Sequence, residues 1–85
     1  MGIKGLIKEH ETVGDRLRYL RVINELKQQD IAKLFLIPVK RVSNLERGCV
    51  EINNDELLLY ARNFRVSPTW LLTGEDDYEQ ERKET

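Results

Sequence analysis

The chain has 85 residues, which is enough for one small domain and too few for two. A single cysteine excludes an internal disulfide and a thiolate metal cage, and a single histidine gives little basis for a catalytic Cys–His pair. No apolar run approaches the roughly 18 residues of a membrane span, so we expect a cytoplasmic protein with no membrane partner. We also expect no cofactor and no bound metal.

Charge is unevenly distributed along the chain. The net charge of −1 is unusual for a nucleic-acid-binding domain, which is ordinarily basic. Residues 12–74 nevertheless carry ten Lys and Arg against seven Asp and Glu, whereas residues 75–85 carry two against six. We therefore predict an N-terminal arm over residues 1–11, a mildly basic domain over residues 12–74, and an acidic flexible tail over residues 75–85.

The first predicted helix follows Thr12, which is suited to cap it, and has Asp15 near the positive end of its dipole. Its apolar side chains recur at helical spacing from Val13 onward. The arginines of this segment are expected to lie largely outside the apolar stripe: Arg16, Arg18 and Arg21.

Two further short helices are predicted on either side of a tight turn. The first of them spans about residues 28–35. The second begins near Pro38, whose missing N–H suits a helix entry, and stops before Gly48. Val42 and Leu45 give this helix a narrow inward stripe, and its other faces are polar.

Capping signals predict the last two helices. Asn53 with Glu56 three residues later forms a capping-box pattern before an apolar helix. Ser67, Pro68 and Gly74 supply a cap, an entry and a stop for a short final helix. Since no strand pattern occurs anywhere, we predict an all-α fold, a compact five-helix domain.

The apolar run from Leu34 to Ile37 is longer than the packing of two helices needs. Phe35 and Ile37 suit the core, and for Leu34 and Leu36 we favour core filling over the alternative, an exposed surface for a partner.

The segment from Leu26 to Gly48, "LKQQDIAKLFLIPVKRVSNLERG", carries a family resemblance. It is similar, without gaps, to the DNA-binding motif of the lambda-repressor/Cro-like (XRE-type) helix-turn-helix regulators. Ala32 supplies the small residue needed where the two helices cross. The likeness extends from Val13 to Gly74 and includes the endings "NLERG" and "VSPTWLLTGE".

Two positions depart from the family pattern. Leu36 stands where the family usually has a left-handed glycine, so either the leucine adopts that conformation at about 1–2 kcal/mol or the turn is rearranged and stiffened by Pro38. Lys27 occupies the cap position of the second helix, where Ser or Thr would satisfy a backbone N–H.

The resemblance implies that three residues of the third helix reach base edges in the major groove. Val39 packs on a thymine methyl, Lys40 donates to guanine, and Asn44 pairs bidentately with adenine. The residues placed to contact phosphates are Gln28, Arg41, Ser43 and Arg47. For Arg47 we also weigh pairing with Glu46 or capping of the helix end, and for Glu46 a structural pairing with an arginine of the first helix.

These residues lead to two hypotheses on function. The favoured one is a sequence-specific regulator, most simply a repressor, that binds double-stranded DNA at a palindromic operator as a homodimer through the helix over residues 38–47. The alternative is a module of the same fold that binds a partner protein, as in antitoxin-like regulators. The sequence has no constellation of catalytic residues, so we do not expect an enzyme.

Overall fold

The computed structural model describes residues 12–75, and these residues form five helices. The helices are α1 (Val13–Ile23), α2 (Gln28–Phe35), α3 (Val39–Arg47), α4 (Asn54–Phe64) and α5 (Pro68–Thr73). There is no strand between residues 12 and 75, and the predicted all-α, five-helix fold is confirmed. The predicted arm over residues 1–11 and the tail beyond Glu75 lie outside the described residues.

Side-chain caps mark the beginnings of α1, α4 and α5 as the sequence predicts. The Thr12 hydroxyl accepts a hydrogen bond from the Asp15 N–H at 3.0 Å, and the Asn53 side chain accepts one from the Glu56 N–H at 2.8 Å. Both acidic residues complete a capping box by accepting from the N–H of the cap residue. Pro38 is the N-cap of α3 and not its first helical residue, so the helix begins one residue later than predicted.

The core is built from apolar side chains of all five helices. Tyr60 lies at its centre, where its ring meets Phe35 edge-on with the ring centroids 4.8 Å apart. The side chains that are fully buried are Leu17, Ile31, Val42, Tyr60 and Leu71. The prediction that Leu34 and Leu36 fill the core is wrong, because these side chains are 54% and 90% exposed. Helical periodicity turns Leu34 outward from α2, and the turn carries Leu36 away from both helices.

Gly14 allows α1 to approach α3 more closely than any other residue would. A Cβ atom at this position would lie 2.7 Å from the Leu45 carbonyl oxygen and still closer to that of Glu46. Since backbone atoms cannot move aside as a flexible side chain does, Gly14 sets the distance between α1 and α3.

Arg16 joins the first helix to the last one. The prediction that it lies outside the packed stripe of α1 is wrong, because the residue is only 4% exposed. Its guanidinium donates to the Leu71 carbonyl at 2.9 Å and to the Leu72 carbonyl at 3.3 Å, which satisfies the C-terminal end of α5. Burial lowers the pKa of this guanidinium.

Residues 12–75 also lack two further features. No helix there is long and apolar enough to cross a membrane. In the same range, no group of three or more His, Cys, Asp or Glu side chains is placed to hold a metal ion.

Candidate nucleic-acid interface

The turn between α2 and α3 keeps a left-handed residue although glycine is absent. Leu36 has φ 58° and ψ 46°, and the Ile37 N–H donates to the Ala32 carbonyl at 3.0 Å. Of the two alternatives that the sequence left open, the structure adopts the left-handed leucine. This conformation costs about 1–2 kcal/mol relative to an ordinary backbone geometry.

At the beginning of α2 the hydrogen-bonding side chain comes from within the helix and not from the cap residue. Lys27 offers no side-chain acceptor, as the sequence indicates. Instead the Asp30 carboxylate accepts a hydrogen bond from the Lys27 N–H at 2.7 Å, so one of the end groups of the helix is satisfied. The carboxylate also lies in the first turn, where the helix dipole favours a negative charge.

The inward face of α3 is held by a buried ion pair as well as by apolar packing. The Glu46 carboxylate accepts from Arg21 Nε at 2.7 Å and from Arg21 Nη2 at 3.0 Å. This bidentate bond raises the pKa of Arg21 and confirms that Glu46 pairs with an arginine of the first helix. Gln28 Nε2 donates to the same carboxylate at 3.1 Å, so the start of α2 is tied to α3.

Arg41 points toward α4 and away from the other polar residues of α3. Its guanidinium donates to Glu56 from Nε at 2.7 Å and from Nη2 at 2.8 Å, and also to the Glu51 carbonyl at 3.1 Å. In the sequence Arg41 groups with Lys40, Asn44 and Arg47 on one polar side of the helix, but the structure shows Arg41 held by Glu56 instead. The phosphate contact of Arg41 stays a prediction, although its guanidinium is already engaged by the Glu56 carboxylate.

The outward face of α3 carries the remaining predicted contacts. Val39 and Lys40 are exposed, and Asn44 is partly exposed. Lys40, Asn44 and Arg47 are spaced four and then three residues apart, which places them along one side of the helix. Arg47 Nη2 donates to Asn44 Oδ1 at 2.8 Å, so Arg47 pairs with Asn44 and not with Glu46.

A polar surface cleft runs between one side of α1, the start of α2 and the side of α3. The residues that line it are Asp15, Arg18, Arg21, Gln28, Ser43, Glu46 and Arg47. The structure thus brings together three of the four predicted phosphate contacts, and Arg41 is absent from the group. Two exposed cations, Arg18 and Arg47, border the cleft.

Arg18 is a candidate site residue that the sequence reasoning missed. Within residues 12–75 its side chain has no ion-pair or hydrogen-bond partner, and it is exposed on α1. Its role depends on how near α1 lies to α3, which a helical pattern alone does not give. The available signal was Gly14, because a glycine inside a predicted helix can indicate a close approach of another backbone.

Two short helices joined by a left-handed turn, the second with a buried inner face and a polar outer face, define a helix-turn-helix domain. The comparisons agree with this class. A family model described as "Helix-turn-helix" matches residues 17–71, and the chain belongs to this family.

Two relatives extend the comparison. The chain is 36% identical over 66 residues to the HTH-type transcriptional regulator DicA of Escherichia coli (strain K12), a match that covers 78% of this chain and 49% of DicA. The chain therefore spans about half the length of that relative. It is also similar, with a TM-score of 0.71 and 28% identity, to the P22 c2 repressor protein in a crystal structure with synthetic operator 9T and Tl+. That match covers 75% of this chain and 97% of the repressor chain, and the resemblance to lambda-repressor/Cro-like regulators is confirmed.

Proposed function

We propose that this chain is a sequence-specific, double-stranded-DNA-binding transcriptional regulator, acting as a repressor. The observation that carries the proposal is the division of α3 into a fixed inner face and a polar outer face that no other part of residues 12–75 covers. Such a helix fits a major groove about 12 Å wide. The similarity to DicA, a transcriptional regulator, and to the P22 c2 repressor, which was crystallised with an operator, supports it.

In this proposal the outward residues of α3 read base edges. Lys40 donates to guanine O6 and N7, and Val39 packs against a thymine methyl group. Asn44 contacts a base through its side-chain amide, one helical turn after Lys40. The buried pair of Arg21 and Glu46 holds α3 at a fixed angle, so these three side chains enter the groove together.

The cleft beside α3 supplies the contacts to the DNA backbone. Ser43 and the second amide N–H of Gln28, the one not donated to Glu46, offer uncharged donors, and Arg18 and Arg47 offer charge. Gln28 is the first residue of α2, where the helix dipole favours an anion. These contacts orient the domain on the duplex without reading its sequence.

A homodimer on a palindromic operator completes the proposal. Residues 12–74 carry a surplus of only three positive charges, so one copy has little electrostatic affinity for DNA. Two copies related by a two-fold axis double the contacts, with half-sites about 34 Å apart.

Selection of bound sites from a random duplex pool, with the 85-residue chain, tests the proposal. We expect a palindromic consensus in which Lys40→Ala relaxes the preference at one position of each half-site. Arg18→Ala should weaken all duplexes alike and reduce the salt slope by about one. Arg62→Ala, an exposed arginine of α4, is the matched control and should leave the slope unchanged. Absence of any consensus would overturn the proposal.

A second candidate, a module that binds a partner protein, is favoured by the exposed side chains of Leu34 and Leu36. It requires a partner whose affinity survives the double variant Lys40→Ala, Asn44→Ala. The same affinity should be lost in Leu34→Ser, Leu36→Ser. If the DNA-binding proposal is right, affinity for the selected duplex should be lost in Lys40→Ala, Asn44→Ala and kept in Leu34→Ser, Leu36→Ser.

A further inference from the structure

The contact between Asn44 and Arg47 fixes which way the asparagine amide faces. A guanidinium has only N–H donors, so the amide atom that meets it must be the carbonyl oxygen. Arg47 Nη2 lies 2.8 Å from Asn44 Oδ1, within hydrogen-bonding distance. The amide nitrogen, Nδ2, consequently faces away from Arg47.

Nothing else between residues 12 and 75 competes for this arrangement. Arg47 makes no ion pair with a carboxylate in that range, and Asn44 is the side chain that accepts from it. Both residues lie on the outward side of α3. The hydrogen bond between them has a charged donor, and such a bond is stronger than one between neutral groups.

This orientation changes what α3 offers to a base. A free asparagine presents an acceptor and a donor side by side, which matches the N6 and N7 atoms of adenine. With Oδ1 already accepting from Arg47, the group of this amide that has no partner among residues 12–75 is the N–H donor of Nδ2. The stripe of Lys40, Asn44 and Arg47 then consists of donors throughout.

Guanine is the base whose major-groove edge presents two acceptors, N7 and O6. We propose that Arg47 is a positioning residue that holds the Asn44 amide as a donor, so that the base opposite Asn44 is guanine and not the adenine expected of a free asparagine. The inference rests on the proposed function, and it assigns Arg47 a part in specificity beyond its phosphate contact.

Competition binding with the selected operator tests this inference. The position read by Asn44 is first identified as the one where Asn44→Ala relaxes the base preference. All four bases are then compared at that position with the wild-type chain. We expect the chain to bind the duplex with guanine at this position roughly ten-fold more tightly than the duplex with adenine. A well-formed contact between a side chain and a base edge discriminates against the wrong base by about that factor or more.

Three variants separate positioning from simple charge. Arg47→Met keeps the alkyl stem but removes the donors, so the preference at this position should move toward adenine by roughly ten-fold while other positions keep theirs. Arg47→Lys restores a donor and should restore the preference for guanine. Arg18→Met, the matched loss of a cation from the same cleft, should weaken all duplexes equally without changing the ranking of bases.

Two results would overturn the inference while leaving the proposed function intact. One is a wild-type preference for adenine, in which case Oδ1 serves Arg47 and adenine N6 together. The other is a uniform loss of affinity in Arg47→Met with the base ranking unchanged, which makes Arg47 a phosphate contact alone. A wild-type chain that selects no duplex would overturn the proposed function itself.

Discussion

Both sides of α3 carry charged residues, but the two sides differ in what those residues contact. On the inner side, Glu46 is bound by Arg21, and Arg41 is bound by Glu56. On the outer side, Lys40 is exposed to solvent, and Arg47 contacts only its neighbour Asn44 within the described part of the chain.

The difference shows how one short helix serves both stability and recognition. Charges on the inner side are neutralised by partners on α1 and α4, which fixes the helix in two directions. Charges on the outer side have no partner on another helix among residues 12–75, and that leaves them available to a ligand. Arg41 and Arg47, only six residues apart, fall on opposite sides of this division.

Removing the charge of Glu46 is the strongest test of the inner side. Glu46→Gln keeps the shape of the side chain but leaves the Arg21 guanidinium, whose side chain is 15% exposed, without its counter-charge. We expect a loss of about 3 kcal/mol in the free energy of unfolding, measured by urea denaturation, because an uncompensated charge remains largely buried.

The double variant Arg21→Met, Glu46→Gln supplies the control for this prediction. With both charges gone, an apolar side chain replaces the stranded guanidinium, and part of the lost stability should return. A double variant that loses the sum of the two single losses would contradict the pairing inferred from the structure.

Much of the fold could be predicted because its signals are local. Thr12, Asn53 and Ser67 each cap a helix where the sequence places one, and Gly48 and Gly74 end helices in the left-handed conformation. Each of these roles depends on residues within three or four positions along the chain.

What could not be predicted depends on packing between helices. Arg16 and Arg41 look like surface cations in the sequence, yet one is buried against α5 and the other is paired with Glu56. The partner of each lies on another helix, at a distance that periodicity does not specify. The prediction that Leu36 fills the core was wrong for a related reason. The backbone conformation of this residue, and not its apolar character, decides where its side chain points.

The turn beside the outer side of α3 offers a gain in stability. In Leu36→Gly the left-handed strain of about 1–2 kcal/mol is relieved, and the greater freedom of glycine in the unfolded chain offsets about 0.5–1 kcal/mol of it. Since the side chain is 90% exposed, little packing is lost. We expect the free energy of unfolding to rise by about 0.5–1 kcal/mol, measured by urea denaturation.

Leu34→Gly is the matched control for this variant. It places the same substitution two residues earlier, inside α2, where the backbone is helical. There glycine should lower the stability by about 1 kcal/mol. Equal effects of the two substitutions would indicate that the turn carries no strain.

The smallest expected effect concerns the second ion pair on the inner side, between Arg41 and Glu56. The hydrogen bond from Arg41, together with one from the Asn53 N–H, lowers the pKa of Glu56 below its ordinary value of 4.5. A carboxyl with a lowered pKa stabilises the fold above its ordinary pKa, and this contribution is lost as the pH falls through the pKa of the folded state. We therefore expect the stability advantage of the wild-type chain over Glu56→Gln to be present at neutral pH and to diminish below about pH 4.5.

Urea denaturation between pH 7 and pH 3 measures this difference. The effect should be modest because the Arg41 side chain is 30% exposed and pairs open to solvent contribute little. Glu51→Gln, an exposed neighbour whose backbone carbonyl and not its carboxylate accepts from Arg41, is the control and should follow the wild-type profile. A Glu56→Gln profile parallel to the wild type at every pH would mean that apolar contacts hold α3 to α4. The ion pair of Glu46 with Arg21 would then be the one that stabilises the inner side of α3.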